Sequence, residues 1–416
     1  MMEYLDIIGI GAINFDYIFF CKKLEYKNRK LPEFGQEYLN ISRHAIYEDI
    51  KKLMYTTEHT NQVCGSAFFA LKTAYAISPE LRLSYVGVCG KPSTEELDAG
   101  FKSNVEEEFS FLHNTDWLFF DKGEPGLSLI RLERGTRSWI DIDPGANSKL
   151  KEYILRKEKE EGGNSFIEYL SKSKWIHISS LSDFEQFQFL VQKIKEAKKI
   201  NPLLKISIDP GYEYTKKYKL ELRDVFSIAD YVFLNNNELE NLIGDTSLTK
   251  KNKYNVLSSI FNNYKLSNTQ VIIIKSESKH TLASFQEGNL SVSTFWNNKL
   301  IKRKIQNDTG AGDAFAGGFI TSMLSTRLLI HQPTPIKIGA IAALARLKSR
   351  EEPFGVISND VKKYMNTIEK DETYNIKHLL SILFHKIKSQ LSSFFIGIVT
   401  GVIGSLIVLW IQWLCK

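Results

Sequence analysis

Short apolar segments alternate with segments of helical periodicity along most of the chain, and this alternation most constrains the fold. Runs such as 83–90 and 270–275 have the length of buried strands, whereas 184–199 has the periodicity of a helix. Apolar strands separated by helices form parallel βαβ units, because a parallel connection needs a long crossover. The sequence therefore predicts an α/β fold with a doubly wound, mostly parallel sheet. The strand-like runs are 5–20, 83–90, 175–179, 204–209, 231–234 and 270–275.

Length and charge narrow the classes of function. The 416 residues are enough for one large α/β domain with an appendage. Lys and Arg number 54 against 48 Asp and Glu, a net charge of +6 that is spread along the chain. Without a basic block interleaved with aromatic residues, we expect no nucleic-acid partner. The cysteines form no C-x-x-C pair, which predicts free thiols in a reducing compartment: Cys21, Cys64, Cys89 and Cys415.

The run DTGAGD at 308–313 carries the strongest functional signal. Small residues let the backbone N–H groups of Gly310, Ala311 and Gly312 approach a ligand, and the apolar run that follows predicts a helix with these amides at its N-terminus. An anion site beside the Asp313 carboxylate suits phosphoryl transfer to a hydroxyl. Asp313 would take the proton while the amides hold charge on the phosphoryl oxygens. The alternative is a glycine turn that starts a helix, with Asp313 as a favourable first-turn acid.

This run resembles the signature of the ribokinase-like (PfkB) carbohydrate kinase family, D-T-x-G-A-G-D or its shortened forms. The resemblance covers roughly residues 5–365 and implies a kinase domain over 1–365, a three-layer α/β sandwich with a small β lid. It also implies that ATP, with Mg²⁺, phosphorylates a hydroxyl of a sugar or nucleoside. Asp308 and Thr309 are assigned to the nucleotide site. The lid segments are about 15–62 and 126–143.

The resemblance also implies substrate-binding residues near the N-terminus. Asn14 and Asp16 follow an apolar strand, and ligands of open α/β sheets bind at the carboxyl ends of strands. In the family an Asp at this place accepts hydrogen bonds from substrate hydroxyls, and Asp16 matches it. A solvated turn is the alternative. Gly65 and Ser66 match the family's Gly-Gly-Ser-Ala-x-Asn motif, whose glycine amides hold sugar hydroxyls.

Two positions of that motif depart from the family. Cys64 stands in place of the first Gly, and Phe69 stands in place of the Asn. The loss of a polar group should cost a sugar ligand roughly 1–3 kcal/mol if a ligand group stays unpaired. An aromatic ring instead favours a flatter, more apolar ligand such as a nucleoside base, so Phe69 is assigned to substrate binding. Sugar and nucleoside both remain open.

The segment NNNE at 235–238 follows a strand and opens a helix. It resembles the family's Asn-x-x-Glu, which places Asn235 near the phosphates and has Glu238 order Mg²⁺ through water. The same letters also describe an N-cap box, which is the alternative. Lys275, which ends the last apolar strand, is assigned to the nucleotide site as well.

Three departures, Phe69, Glu277 and His280, favour a rival function. Glu277 and His280 replace the glycines of the family's Gly-x-x-Gly turn near the nucleotide, and the insertion 39–62 is longer than the usual connection. A long insertion in a compact domain is often functional, and this one could cover the substrate or contact a partner. The rival is a ligand-sensing or signalling module that keeps the fold, has weakened turnover and acts through a membrane anchor. The intact run 308–313 favours the enzyme.

The C-terminal segment 391–415 carries no charge and is long enough for a transmembrane helix. A buried core helix is the alternative. Lys386 and Lys388 precede the segment and only Lys416 follows it, so the positive-inside rule predicts a single-pass membrane protein whose N-terminal kinase domain is cytoplasmic. Residues 366–390 are then a linker and juxtamembrane helix.

Two glycines of this segment, Gly397 and Gly401, form the G-x-x-x-G pattern of closely packed helix dimers. The pattern also arises by chance in apolar runs. A homodimer and a tail without a dimer contact both remain open.

Overall fold

The computed structural model describes residues 4–21, 36–91, 105–133, 136–179, 181–244, 253–264, 266, 270–275, 279–286, 289–296, 305–325, 334–350 and 353–364. The chain divides into two compact units, Met1–Val361 and Lys362–Lys416. Of the second unit, the structure describes residues 362–364 only. The fold described below is therefore that of the first unit.

The strands are, in chain order, β1 (Leu5–Ile10), β2 (Asn14–Cys21), β3 (Gln36–Leu39), β4 (His59–Cys64), β5 (Leu83–Gly90), β6 (Leu118–Asp121), β7 (Gly126–Glu133), β8 (Thr136–Asp143), β9 (Ser173–Ser179), β10 (Lys205–Asp209), β11 (Tyr231–Asn235), β12 (Val271–Lys275), β13 (Lys279–Gln286) and β14 (Asn289–Trp296). Nine of them form the main sheet, in the order β14-β13-β12-β11-β10-β9-β1-β5-β6. Pairing is parallel from β12 to β6, and β13 and β14 add an antiparallel edge. The predicted mostly parallel sheet is confirmed.

The helices are α1 (Arg43–Met54), α2 (Ser66–Ile77), α3 (Leu150–Glu161), α4 (Ser165–Ser171), α5 (Phe184–Ile200), α6 (Gly211–Lys217), α7 (Leu222–Phe226), α8 (Asn236–Ile243), α9 (Lys253–Asn263), α10 (Ala311–Leu324) and α11 (Thr334–Lys348). Turns of 3₁₀ helix cover Val105–Phe109 and Gly145–Lys149. Residues 354–361 are also helical.

The alternation of side chains along the strands gives the main sheet two cores. Successive residues of a strand point to opposite faces, so Ile8 of β1 packs in one buried cluster while Ile7 packs in another. The first cluster contains Ile194 of α5, and the second contains Phe319 of α10. Helices therefore cover both faces, which makes three layers and confirms the predicted ribokinase-like α/β architecture.

A second sheet of five strands, in the order β3-β8-β7-β2-β4, forms the lid. The run 5–20, predicted as one buried strand and its turn, contains two strands of different sheets: β1 lies in the main sheet and β2 in the lid. The difference arises because the chain turns at residues 11–13 and changes sheet, although both strands are equally apolar. Within the predicted lid segment 126–143, β7 pairs antiparallel with β8 as a hairpin.

Helix α1 belongs to the insertion 39–62 and matches the helical periodicity of residues 45–54. Its buried side chains Ile46 and Ile50 share a cluster with Phe15 and Tyr17 of the lid strand β2. Asp16, which lies between these two aromatic residues in the strand, points to the opposite face of the lid. The insertion therefore covers one face of the lid and leaves the other face to the cleft.

Among the described residues, the longest and most apolar helices still fall short of what a membrane span requires. The predicted linker 366–390 and transmembrane helix 391–415 lie outside the described residues.

Candidate active site

A cleft of about 850 Å³, solvent at its mouth included, lies between the lid and the carboxyl ends of the main-sheet strands. The polar lining comes from the lid and from the start of α10, namely Asn14, Asp16, Ser128 and Asp313. The lining also contains apolar side chains, namely Leu39, Ile130, Ile140, Ile142 and Leu181. Of these, Ile142 pairs in register with Ser128, so the apolar patch of the lid adjoins its polar residues. The cleft thus offers hydrogen-bonding groups to one part of a ligand and an apolar surface to another.

The turn 308–310 opens the N-terminus of α10 toward this cleft. Gly310 is the N-cap residue with φ +78°, a conformation that strains residues with a side chain. Asp313 lies in the first turn of the helix, and Thr309, Gly310 and Asp313 all line the cleft. The first backbone N–H groups of a helix lack partners within the helix, so this end is suited to bind an anion. A carboxylate and a helix N-terminus therefore meet in one cleft, and the anion site that the run DTGAGD predicts would lie there.

Asp16 faces Asp313 across the cleft from the middle of the lid. It pairs in register with Gln62 of β4 and Ser128 of β7, whose side chains lie on the same face of the lid. The pKa of Asp16 is raised to about 7: burial is the largest cause, the polar groups of Ser128, Gln62 and Cys64 oppose the shift, and the negative charge of Asp313 adds to it. The predicted substrate residue is thus a buried acid of the cleft whose pKa lies near neutral pH.

Asn147 holds the chain between β1 and β2. Its Oδ1 accepts from the backbone N–H of Ile13 at 2.8 Å, and its Nδ2 donates to the carbonyl of Ile13 and to Oδ1 of Asn14, both at 2.9 Å. Asn147 is buried, so these bonds satisfy backbone groups that water cannot reach. The Gly-Ala-Asn segment therefore positions Asn14, a predicted substrate residue.

The segment 64–66 lines the cleft between β4 and α2. Gly65 has φ +150°, and a Cβ there would lie 2.0 Å from the carbonyl oxygen of Ala12. Only glycine fits this close approach, so Gly65 contributes its backbone, and Ser66 follows as the first residue of α2. Burial and the nearby Asp16 carboxyl raise the pKa of the Cys64 thiol well above its usual range. Cys64 is thus a neutral, buried thiol in the described structure.

Phe69 lies away from its predicted place. Its side chain is 3 % exposed and is not part of the cleft lining. A Cβ on Gly310 would lie 3.3 Å from three of its ring carbons, and the ring packs on Phe354 with centroids 5.2 Å apart. Phe69 therefore packs against Gly310 and not against a ligand in the cleft. The face of α2 that carries Phe69 is turned toward the protein core. The predicted stacking on a substrate base does not match this position.

Asn235 and Glu238 bond to each other at the start of α8. Glu238 N–H donates to Oδ1 of Asn235 at 2.9 Å, and the Asn235 backbone N–H donates to Oε2 of Glu238 at 2.8 Å. The Nδ2 of Asn235 also donates to Oε1 of Glu238 at 2.7 Å. This is the N-cap box that we kept as the alternative. Each carboxylate oxygen still has lone pairs left for a water ligand of Mg²⁺, so the box and the predicted metal role are compatible.

Lys275 ends β12 beside the anion site. It forms an ion pair with Asp209, which ends β10, two strands away in the main sheet, and both side chains are buried. Burial alone would lower the pKa of Lys275, but Asp209, Glu238 and Asp313 raise it, so the amine stays protonated. A Cβ on Gly312 would lie 3.1 Å from Nζ of Lys275, which places this positive charge next to the α10 N-terminus.

Glu238 is an acid beside this ion pair, and its pKa is shifted for other reasons. Burial and the charge of Asp209 raise the pKa of Glu238, and Lys275 opposes the shift. A bound cation would favour the ionised carboxylate, so the arrangement fits a metal ion held through water. Among the residues described, no group of three or more His, Cys, Asp or Glu side chains is placed to bind a metal directly.

Residues 115–336, slightly more than half of the sequence, match the model of the pfkB family of carbohydrate kinases. This chain belongs to the pfkB family. The matched range contains the hairpin of the lid, the segment 235–238 and the run 308–313. No curated protein sequence matches the chain.

Solved structures with the same fold align with 84–87 % of the chain. The ribokinase of Giardia lamblia is 16 % identical, with a TM-score of 0.64 over 86 % of this chain and 99 % of that chain. An adenosine kinase of Anopheles gambiae, in complex with P1,P4-di(adenosine-5) tetraphosphate, is 20 % identical, with a TM-score of 0.65 over 85 % and 98 %. The ribokinase of Arabidopsis thaliana, complexed with ribose and ATP, is 14 % identical, with a TM-score of 0.57 over 87 % and 99 %. At these identities the likeness shows a common fold.

Sequence reasoning missed some residues of this pfkB site. Ser128 lies in an alternating strand, where no local signal separates it from a solvent-facing serine. Asn147 lies in a Gly-Ala-Asn segment that resembles the family, yet the sequence assigns it no role. Arg346 of α11 is a third case. This helix consists largely of small residues, and nothing in its sequence indicates that the arginine is buried. Of the two residues that replace the family's turn glycines, Glu277 lies outside the described residues, and of His280 only the backbone, in β13, is described.

Proposed function

We propose that this chain is a kinase that transfers the γ-phosphoryl group of ATP to a hydroxyl of a nucleoside or sugar. The observation that carries the proposal is the position of Asp313: it lies in the first turn of α10, beside the anion site, in the same cleft as Asp16 and Asn14. The pfkB membership and the ligands bound in the ribokinase and adenosine kinase structures support the same reaction class.

In the proposed reaction Asp313 accepts the proton of the acceptor hydroxyl as its oxygen attacks the γ-phosphorus. The bond between the γ-phosphorus and the bridging oxygen breaks, and ADP leaves with that electron pair. The backbone N–H groups of Gly310, Ala311 and Gly312 stabilise the charge on the phosphoryl oxygens, and Lys275 adds a positive charge beside them. Mg²⁺, when bound, neutralises phosphate charge, and Glu238 would hold it through water.

The acceptor that the cleft fits best is a nucleoside. Asp16 and Asn14 present acceptors and donors for ribose hydroxyls, while Ile130, Ile142 and Leu181 add an apolar surface to the same cleft. A free sugar would leave that surface exposed to water, whereas a base would cover it. This argument replaces the one based on Phe69, which lies outside the cleft lining.

The alternative, a sensing module with weakened turnover, is less well supported. It relied on Phe69, Glu277 and His280, and of these the Phe69 side chain packs on Gly310 and is not part of the cleft lining. Asp313, the anion site and Asp16 occupy the places that a turnover enzyme needs, and a pure sensor would have little use for a base at that position.

The experiment is a coupled assay of ADP formation with a panel of nucleosides, pentoses and hexoses. We expect turnover with at least one nucleoside and a lower kcat/KM for free sugars. Asp313→Asn keeps the shape of the side chain and removes the base, so kcat should fall by about 10²–10⁴-fold while the acceptor still binds. Near-normal turnover in this variant would show that Asp313 is not the base, and no turnover of any acceptor by the unaltered protein would refute the kinase.

We also propose that residues 391–415 anchor the protein as a single-pass membrane helix, with the kinase domain on the cytoplasmic side. The uncharged composition of that segment and the lysines before it support this proposal. Pairing of the anchors through Gly397 and Gly401 would make a homodimer.

A further inference from the structure

A buried arginine on α11, Arg346, lies directly behind the turn that begins α10. Its side chain has no solvent exposure. Its Nε donates to the carbonyl oxygen of Thr309 at 2.6 Å, and Nη1 donates to the carbonyl oxygen of Ser349 at 3.1 Å. The carbonyl of Thr309 belongs to the peptide that also contains the N–H of Gly310. A hydrogen bond to that carbonyl therefore fixes the plane in which the Gly310 N–H points.

The segment that precedes this turn is bound to the end of the same helix. The backbone N–H of Gln306 donates to the carbonyl of Leu347 at 2.8 Å, and Nδ2 of Asn307 donates to the carbonyl of Arg350 at 3.1 Å. The Oδ1 of Asn307 in turn accepts from the N–H of Thr309 at 2.9 Å. Residues 306–309 thus take their position from the end of α11, and Arg346 supplies the contact closest to the anion site.

Phe69 joins this arrangement from α2. The guanidinium carbon of Arg346 lies 5.7 Å from the centroid of the Phe69 ring, within the range of a cation–π contact. The same ring lies against Gly310, on the side away from the cleft, and packs on Phe354. Arg346 and Phe69 therefore hold the Thr309–Gly310 peptide together, one by a hydrogen bond and the other by van der Waals contact.

The charge of Arg346 is also near the reacting groups. Burial lowers the pKa of Arg346 to about 10, and the nearby Cys64, Asp308 and Asp313 act in the opposite direction, so the guanidinium remains protonated at neutral pH. In a buried environment such a charge interacts with neighbouring charges more strongly than it would in water. It adds a positive potential behind backbone N–H groups that point toward the cleft.

We propose that Arg346 is a positioning residue of the phosphoryl-transfer site, which orients the Thr309–Gly310 peptide through its hydrogen bond and cation–π contact and places a permanent positive charge behind the anion hole. This inference rests on the proposed function for its kinetic consequence. It also assigns Phe69 a role in supporting Arg346 and Gly310.

The test compares Arg346→Met and Arg346→Lys with Arg223→Met in the full-length protein. Arg223 is a control for the loss of such a hydrogen bond, since its guanidinium also donates to a backbone carbonyl, that of Asn263, at 3.0 and 2.6 Å, but at an exposed position outside the cleft lining. In Arg346→Met, kcat should fall by about 10²-fold because the anion hole is misplaced, while the KM of the acceptor stays within about two-fold. Arg346→Lys keeps the charge and should lose less, and Arg223→Met should match the unaltered protein in both constants.

Two further measurements guard against a folding artefact. Millimolar guanidinium ion should restore part of the kcat of Arg346→Ala, because it replaces the missing group, and should not raise that of the control. Phe69→Leu keeps the charge and most of the apolar volume, so it should lower kcat less than Arg346→Met and leave the acceptor KM unchanged.

Amide hydrogen exchange separates this inference from the kinase assignment. Exchange at residues 309–312 should be faster in Arg346→Met than in Arg223→Met, whatever the substrate. Suppose that the unaltered protein has no kinase activity and that exchange is still faster in Arg346→Met than in Arg223→Met. This result would support the positioning role and refute the proposed function. An active enzyme in which Arg346→Met changes neither kcat nor this exchange would overturn the inference and leave the function intact.

Discussion

At the scale of single residues, burial decides how the polar groups of this site behave. Asp16 and Lys275 are both buried, yet burial raises the pKa of the acid, whereas the neighbouring carboxylates keep the amine protonated. Asp16 lies among neutral polar groups and near a like charge, that of Asp313. Burial therefore makes Asp16 sensitive to pH near neutrality, whereas Lys275 stays charged because its neighbours are carboxylates.

Asp16→Asn should change stability in a pH-dependent way. The pKa of Asp16 is about 7 in the folded protein against an ordinary value of 3.8, so the folded state holds the proton more tightly than the unfolded state. Ionisation of Asp16 therefore costs folding free energy as pH rises from about 4 through about 7. The free energy of unfolding of Asp16→Asn relative to the unaltered protein should increase over this window, as measured by urea unfolding at several pH values. The affinity for the acceptor should fall at the same time.

Asp121→Asn is the control with the opposite sign. Burial raises the pKa of Asp121, but hydrogen bonds from Tyr153, Gly123 and Lys149 outweigh it and lower the pKa below its usual value. The ionised form is then the stabilising one, so this variant should lose stability relative to the unaltered protein as pH rises from acid to neutral. If both variants show the same pH trend, the environment assigned to Asp16 is wrong.

Asn147→Ala should damage both stability and substrate binding. It leaves the buried N–H and carbonyl of Ile13 without their side-chain partner, which we expect to cost about 2–4 kcal/mol of unfolding free energy. It also frees Asn14, so the KM of the acceptor should rise. Asn201→Ala is the control, because Nδ2 of Asn201 likewise donates to two carbonyls, at 2.9 and 3.1 Å, but away from the cleft lining. An unchanged KM in Asn147→Ala would exclude the positioning role.

At the scale of elements, the site is made where two sheets meet. Asp209, Asn235 and Lys275 end three adjacent parallel strands, so residues far apart in sequence come to one edge of the main sheet. The lid supplies the facing residues through alternation: Phe15 and Tyr17 pack under α1, and Asp16 between them faces the cleft. Helix α1 of the insertion therefore contributes to the site indirectly, by packing against the face of the lid that lies away from the cleft.

Ile50→Ala tests this role of α1. Ile50 is fully buried against the lid strands, and its truncation should cost about 2–5 kcal/mol of unfolding free energy. Because the lid carries Asp16 and Ser128, the KM of the acceptor should rise more than kcat falls. Ile194→Ala in α5 is matched in type and burial but packs in the other core cluster. It should lose similar stability and keep its KM. Equal KM values in both variants would show that α1 does not contribute to substrate binding.

At the scale of the whole molecule, the first unit contains every cleft residue. It extends from Met1 to Val361, and the cleft lining ends at Asp313. Deletion of residues 391–416 should therefore leave kcat and KM unchanged. If the proposed anchor is correct, the full-length protein should sediment with membranes and the truncated protein should not.

The anchor also predicts a difference in self-association. Gly397→Leu with Gly401→Leu should stay in the membrane fraction but show weaker energy transfer between labelled copies, because bulky side chains keep helix backbones apart. Identical energy transfer in both proteins would show that the glycines do not form a dimer contact. Sedimentation of the truncated protein with membranes would contradict the anchor itself.

Several features of this protein were predictable because they depend on neighbours in the chain. Period-two and helical patterns depend on residues two to four positions apart, and they identified the main strands, the helix α5 and the hairpin β7–β8. The run DTGAGD likewise contains both its small residues and its carboxylate, so an anion site beside Asp313 followed from local chemistry. The N-cap box of Asn235 and Glu238 is local in the same sense.

Tertiary structure alone decided the features that depend on distant residues. Ile13 and Asn147 are 134 positions apart, and Arg346 meets Thr309 across 37 positions, so no periodicity connects either pair. The place of Phe69 behind Gly310 depends on which face of α2 meets α10. Hydrogen bonds and burial act through space, and the fold must exist before a sequence position acquires such a neighbour. The sequence by itself determined which chemical groups are present, and the packing of the two sheets determined which of them face the ligand.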